Sequence, residues 1–111
     1  MALPLSKYVW FDGKYVPTEK AQVPITTHAI HYGTSIFEGI RAYWNGKQLN
    51  VFRLDEHVKR FRKSGQFYNI SLNFIDEEIT NAIIGIWAFC VRTYFPSNQT
   101  YFDKGSFIQK F

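Results

Sequence analysis

Hydrophobic and polar positions alternate in two segments of the first half of the chain, and a turn sequence interrupts each alternation. The first segment covers residues 8–16 around Asp12-Gly13, and the second covers residues 41–52 around Asn45-Gly46-Lys47. Turn sequences of this kind between alternating segments are typical of β-hairpins closed by primed turns. The pattern therefore predicts two antiparallel hairpins.

The second half of the chain has the periodicity of helices instead. Apolar residues recur at helical intervals from Leu54 to Tyr68, with acidic side chains in the first turn and basic ones after it. A second helix is expected from Asn73, a candidate cap, to about Ile86. These elements predict an α+β fold in which an antiparallel sheet of two hairpins packs with two helices.

The composition restricts the class of protein without indicating a function. Apolar residues make up 46% and charged residues 20% of the 111 residues, as in a single globular domain. The net charge of +4 could indicate a nucleic-acid or other anionic partner. The cations are spread along the chain, however, and the one tight cluster, at residues 59–63, lies in a predicted helix. A solvated helix face is therefore favoured over a binding patch.

Signals of cellular location are few. Cys90 is the only cysteine, which excludes an internal disulfide and suits a reducing compartment. The first residues lack the basic and apolar regions of a signal peptide. The longest apolar run, residues 82–91, is about half the ~20 residues that a membrane-spanning helix needs. We expect a cytoplasmic protein with no membrane contact.

Residues 28–43 concentrate the side chains that could form a site, in the order His-Ala-Ile-His-Tyr-Gly-Thr-Ser-Ile-Phe-Glu-Gly-Ile-Arg-Ala-Tyr. Gly33 and Gly39 permit positive φ or a close approach of another group. Our interpretation is a loop, a short helical turn over residues 34–38, a pivot at Gly39, and then a strand. Binding groups are often held at such joins between elements.

The run from His31 to Tyr43 resembles the signature of branched-chain amino-acid aminotransferases, which are class IV (fold type IV) pyridoxal-phosphate enzymes. The resemblance extends from near Tyr8 to about Ile86. It implies that residues 1–86 form the small N-terminal domain of such an enzyme and that residues 87–111 are a tail that does not match. It also implies pyridoxal phosphate as the cofactor. The substrates would be leucine, isoleucine and valine, with 2-oxoglutarate and other 2-oxo acids as amino-group partners.

Arg60 is the residue that the resemblance assigns to the cofactor. The run Glu56-His57-Val58-Lys59-Arg60 resembles the family's phosphate-binding arginine motif. A guanidinium can hold a phosphate with two parallel hydrogen bonds, which an ammonium cannot do. The alternative is an ordinary surface ion pair between Arg60 and Glu56 at i,i+4.

Four other residues are implied as parts of the substrate site. Phe37 and Gly39 match the pocket for the aliphatic side chain of the substrate, although Phe37 could instead be a core residue and Gly39 only a pivot. Tyr32 matches a residue that reaches into the neighbouring subunit, so a homo-oligomer is expected; simple packing is the alternative. Arg41 could bind a substrate carboxylate, or could pair with Glu38.

Two other kinds of site are less favoured. His28 and His31 have no cysteine or acid nearby with ligand spacing, so roles in stabilising a turn are expected and no metal site is predicted. A small, basic, aromatic-rich chain could be a module that binds single-stranded nucleic acid through stacked rings. Because the rings lie largely at apolar-patterned positions, we keep nucleic-acid binding only as the alternative function.

The chain does not contain every group that transamination requires. The reaction needs a lysine that forms a Schiff base with the cofactor, and in the family this lysine lies in the second, larger domain. None of the lysines here has a context that resembles it. We therefore expect the large catalytic domain to be absent and residues 1–111 to be inactive alone. The abrupt change of pattern after Ile86 is what a frameshift or an erroneous gene end would produce.

Overall fold

A computed structural model of the protein describes residues 6–94 and 108–110. The chain divides into two compact units, the first ending at Ser35 and the second beginning at Ile36. The first unit contains β1 (Tyr8–Phe11), β2 (Lys14–Pro17), a 3₁₀ turn (Thr18–Lys20) and α1 (His28–Tyr32). The second unit contains β3 (Ala42–Trp44), β4 (Leu49–Val51), α2 (Leu54–Phe67), α3 (Asp76–Tyr94) and β5 (Ile108–Lys110).

The first hairpin forms where the sequence predicts it. Strands β1 and β2 are antiparallel, with Phe11 opposite Lys14 next to the turn. Asp12 and Gly13 have φ of 48° and 86°, and two positive φ values in succession are what a type I′ turn requires. The predicted primed turn is therefore confirmed, and its cause is local to this dipeptide.

The short helix of residues 28–43 lies earlier than predicted. Helix α1 ends at Gly33, which has a left-handed φ of 65° and donates its backbone N–H to the carbonyl oxygen of Ala29. A glycine in this conformation terminates a helix because it costs no steric strain there. The helical turn predicted over residues 34–38 is wrong, since residues 34–41 have no regular secondary structure.

The second hairpin belongs to a different sheet from the first. Strands β3 and β4 are antiparallel, and Gly46 in their turn has φ of 93°. The side-chain oxygen of Asn45 accepts hydrogen bonds of 2.9 Å from the backbone N–H groups of Lys47 and Gln48. Strand β5, which the sequence pattern does not predict, pairs with β4 in parallel. The α+β class and both hairpins are confirmed, but they form two sheets and not one.

The two predicted helices are present with different boundaries. Helix α2 ends one residue before the predicted end, whereas α3 begins at Asp76 and continues past Ile86 to Tyr94. Glu78, not Asn73, caps α3, because its carboxylate accepts a 2.9 Å hydrogen bond from the N–H of Ile75. Neither helix, nor any other among the described residues, is long and apolar enough to cross a membrane.

The core of the second unit lies between its sheet and its helices. Val51, Leu54 and Val58 are at most 2% exposed. The partly buried residues that pack on them come from the chain before β3, from β3 itself and from α3: Ile40, Ala42, Ile79, Ile83, Ile84 and Trp87. Because Ile40 belongs to this set, the core holds the chain that leads into β3.

Residues 36–43 alternate strictly between half-buried and exposed positions. We call the half-buried set the inner face: Ile36, Glu38, Ile40 and Ala42. We call the exposed set the outer face: Phe37, Gly39, Arg41 and Tyr43. An extended chain directs successive side chains to opposite sides, so this alternation is expected even before the chain pairs as β3.

Candidate functional site

The guanidinium of Arg60 is held by the carboxylate of Glu38. Arg60 Nε donates to Oε1 of Glu38 at 2.7 Å, and Arg60 Nη2 donates to Oε2 at 2.6 Å. These parallel bonds use one side edge of the guanidinium and both carboxylate oxygens. The Arg60 side chain is 65% exposed, whereas that of Glu38 is only 9% exposed. Glu38 is therefore the buried member of the ion pair, and Arg60 is open to solvent.

His57 is the second partner of the same carboxylate. Its Nδ1 lies 2.7 Å from Oε2 of Glu38. Hydrogen bonds from Arg60 and then from His57 lower the pKa of Glu38 from 4.5 to about 2. Because Glu38 is ionised near neutral pH and can only accept, Nδ1 of His57 carries the proton and donates. The ion pair in turn raises the pKa of Arg60.

Two elements bring this cluster together. His57 and Arg60 are three residues apart on α2, so they share one flank of the helix beside its apolar stripe. Glu38 reaches them from the inner face of residues 36–43. The surface pair of Arg60 with Glu56 is not observed, because Glu56 pairs with Arg53 at 3.4 Å. From the sequence, Glu38 was considered only as a partner of Arg41, and His57 only as a member of the Arg60 motif. The shared flank of His57 and Arg60 was a usable signal that the two side chains lie together.

Arg60 lines a small cavity with a basic character. The cavity has a volume of about 270 Å³ and is lined by Phe52, Arg53, Glu56, His57 and Arg60. Three of these side chains are basic types and one is acidic. Small-molecule pockets typically have volumes of about 300–1,000 Å³. The cavity is therefore smaller than a typical cofactor site, and basic side chains outnumber acidic ones in its lining.

Comparison with known proteins connects these features to a family. No protein-family profile matches the sequence. The branched-chain-amino-acid aminotransferase of Salmonella typhimurium is 42% identical over 82 residues, which are 74% of this chain and 26% of that protein. The N-terminal three-quarters of this chain are homologous to branched-chain aminotransferases. The resemblance seen in the sequence is thereby confirmed.

Solved structures of branched-chain aminotransferases have the same fold over this part. The T.th. enzyme, complexed with N-(5'-phosphopyridoxyl)-L-glutamate, matches with a TM-score of 0.73 and 43% identity over 80% of this chain and 28% of its own. The enzyme of Thermoproteus uzoniensis with norvaline matches with a TM-score of 0.70 and 39% identity over 78% and 28%. The chain spans about a quarter of the length of its curated relatives. None of these proteins supports the nucleic-acid alternative.

The residues that the aminotransferase resemblance assigns to the substrate pocket lie apart from the Arg60 cavity. Phe37 is 89% exposed, so the alternative of a core residue is wrong. A Cβ added to Gly39 would meet nothing within 4 Å, and its φ is not positive. Arg41 is exposed and makes no ion pair with a described residue. All three lie on the outer face, whereas Arg60 is bound from the inner face, and none of the three lines the Arg60 cavity.

Tyr32, assigned by the same resemblance to contacts between subunits, lies in the first unit. It is the last residue of α1, its side chain is 76% exposed, and its ring stacks on His28 with centroids 4.5 Å apart. His31 Nε2 lies 2.6 Å from the carbonyl oxygen of Ile25, which confirms a role in stabilising the turn. Within residues 6–94 and 108–110, no three side chains of metal-binding type are grouped.

A larger cavity in the second unit is separate from the Arg60 cavity. It has a volume of about 670 Å³ and shares no lining residue with the Arg60 cavity. Its arginine, Arg62, donates to Asp76 and to the carbonyl oxygen of Phe74, each at 2.6 Å. These bonds connect α2 to the start of α3, so Arg62 has a structural role.

Proposed function

We propose that this chain is the N-terminal part of a branched-chain amino-acid aminotransferase in which Arg60 binds the phosphate of pyridoxal phosphate. The homology over three-quarters of the chain carries the proposal. The position of Arg60 in a small basic cavity supports the assignment of its role. The corresponding reaction transfers an amino group between leucine, isoleucine or valine and 2-oxoglutarate.

The donor set around Arg60 fits a phosphate. A guanidinium has five N–H donors, and Glu38 occupies the Nε donor and one Nη2 donor. Both donors of Nη1 are left, as is the second donor of Nη2, which lies 3.4 Å from Nδ1 of His57, an atom that itself donates to Glu38. Nη1 and Nη2 form the end edge that binds oxyanions in a bidentate manner. Pyridoxal phosphate, when bound, supplies an electron sink for the substrate amino acid. This chain contributes binding and orientation of its phosphate.

The outer face is the proposed wall for the substrate side chain. Phe37 supplies apolar surface, Gly39 lets the substrate approach the backbone, and Arg41 offers a cation to a carboxylate. Because these groups are exposed here, a second surface must close the pocket. We propose that Tyr32 of a second copy is part of that surface, in a cytoplasmic homo-oligomer. Norvaline and a glutamate adduct in the two related structures support aliphatic and acidic substrates.

The chain of residues 1–111 alone should not transaminate. None of its lysines resembles the one that the family uses for the Schiff base and the proton transfer. We expect purified 1–111 with pyridoxal phosphate to convert leucine and 2-oxoglutarate no faster than pyridoxal phosphate alone. Product formation above that control would contradict this part of the proposal.

The phosphate role of Arg60 can be tested by comparing two ligands that differ only in their phosphate. We expect the full chain to bind pyridoxal 5'-phosphate more tightly than pyridoxal in equilibrium dialysis. Arg60→Lys should reduce the ratio of the two affinities about tenfold, since a charged hydrogen bond contributes about 1.5–3 kcal/mol. Lys59→Gln removes a charge from the same helix but does not line the cavity, so it should retain the preference. Equal losses in both variants would refute the assignment.

A further inference from the structure

Glu38 and an incoming phosphate would use different edges of the Arg60 guanidinium. Glu38 accepts from Nε and Nη2, which define the side edge. The end edge, formed by Nη1 and Nη2, has donors that Glu38 does not use. Arg60 is 65% exposed while Glu38 is 9% exposed, so solvent can reach the arginine and not the acid. Both anions can therefore be bound at the same time.

We infer that Glu38 is a positioning residue, which holds the side edge of Arg60 so that its end edge is ready to bind a phosphate group in the adjoining cavity. The inference rests on the proposed function of Arg60. His57 supports the arrangement because it donates to the same carboxylate oxygen at 2.7 Å. Glu38 is itself anchored, since the neighbouring inner-face residue Ile40 packs on the core.

Glu38 has two opposite effects on phosphate binding, because it orients Arg60 and also carries a negative charge. An arginine side chain carries about 2 kcal/mol of rotamer entropy, and holding it in place beforehand reduces the cost of binding. The carboxylate of Glu38 also repels a second anion at short range. If orientation dominates, removing the charge of Glu38 weakens phosphate binding. If repulsion dominates, the same change strengthens phosphate binding. The sign of the change in affinity therefore shows which of the two effects is larger.

Glu56 provides a matched control for the charge effect. It lines the same cavity, its side chain is 59% exposed, and it pairs with Arg53 and not with Arg60. Glu56→Gln removes one negative charge from the cavity and breaks the pair with Arg53, but it leaves the contacts of Arg60 intact. Glu38→Gln removes one charge and also breaks the bidentate contact, because one carboxylate oxygen becomes an amide donor. The difference between these variants isolates orientation from charge.

The experiment is a titration of the full chain with inorganic phosphate, observed by NMR at the Arg60 Nε–H signal. We expect Glu38→Gln to bind phosphate about five- to tenfold more weakly than the wild type. Glu56→Gln should bind equally or more tightly, and Glu38→Asp, which retains two acceptors, should recover part of the loss. Without phosphate, the Nε–H signal should exchange slowly with water in the wild type and rapidly in Glu38→Gln.

The possible failures can be told apart. Phosphate binding that is unchanged or tighter in Glu38→Gln would overturn the positioning role and leave the phosphate role of Arg60 intact. A wild-type chain that binds no inorganic phosphate would overturn both. A rapidly exchanging Arg60 Nε–H in the wild type would contradict the positioning role whatever the affinity.

Discussion

The two faces of residues 36–43 differ in the contacts that their side chains make. On the inner face, Ile40 packs on the core and Glu38 binds Arg60 and His57. On the outer face, Phe37 is 89% exposed. Isolated exposed apolar residues are common, so the exposure of Phe37 alone does not define a site; its place beside Gly39 and Arg41 is what the proposed substrate wall uses. The inner face therefore fixes the segment, and the outer face is exposed, where we propose that a ligand or a second surface binds.

The largest expected difference between the faces is in stability. Ile40→Ala removes apolar volume from the core of Val51, Leu54 and Val58, so it should lower the free energy of unfolding by about 2 kcal/mol. Phe37→Ala removes a ring that is 89% exposed, so its effect should stay within about 0.5 kcal/mol. Urea unfolding of the full chain measures both. A loss for Phe37→Ala as large as that for Ile40→Ala would contradict the assignment of the faces.

Two glycines, Gly65 beside the inner face and Gly39 on the outer face, allow a second comparison of packing at the two faces. A Cβ on Gly65 in α2 would lie 3.1 Å from the carbonyl oxygen of Ile70 and 3.3 Å from the side chain of Ile36 on the inner face. Gly65→Ala should therefore destabilise the fold by about 1–2 kcal/mol, despite the helix propensity of alanine. Gly39→Ala on the outer face meets nothing and should be nearly neutral. Equal midpoints of urea unfolding for the two variants would contradict the close packing of Gly65 against Ile36 and Ile70.

Sequence reasoning succeeds where the cause is local. The first hairpin follows from Asp12-Gly13, and α2 follows from its own apolar spacing. Predictions fail where distant residues decide: β5 pairs with β4 across more than fifty positions, and nothing in its own pattern indicates this. A local signal can also be misread. Gly33 ends α1, whereas the helical turn was expected to begin after this glycine.

Some residues of the candidate site can also be predicted from local sequence, and others depend on distant residues. Arg60 is identifiable because its motif is contiguous on one helix. Its partner Glu38 is 22 residues away, and pairing over this distance depends on the register of the segment against α2. Local spacing suggested Glu56 for Arg60, and Glu38 as a partner of Arg41. The observed pairing follows from the inner and outer alternation, which places Glu38 toward α2 and Arg41 toward solvent.

A smaller effect is expected from the ionisation of Glu38. Its pKa is about 2 in the folded chain against 4.5 as the ordinary value. A carboxyl with a lowered folded-state pKa contributes stability above its unfolded pKa, and this contribution is lost as the pH falls through the folded value. The free energy of unfolding should therefore fall more steeply in the wild type than in Glu38→Gln between pH 4.5 and about 2. Parallel curves from urea unfolding across this range would exclude the shift.

The coupling between Glu38 and Arg60 can be measured by a double-mutant cycle on the affinity for inorganic phosphate, with Glu38→Gln and Arg60→Lys alone and together. If Glu38 acts through Arg60, its substitution should weaken binding in the wild type and should not weaken it further once Arg60 is lysine. Because the loss of the Glu38 charge also relieves repulsion, we expect the double variant to bind phosphate at least as tightly as Arg60→Lys alone. The same additional loss from Glu38→Gln in both backgrounds would contradict this expectation.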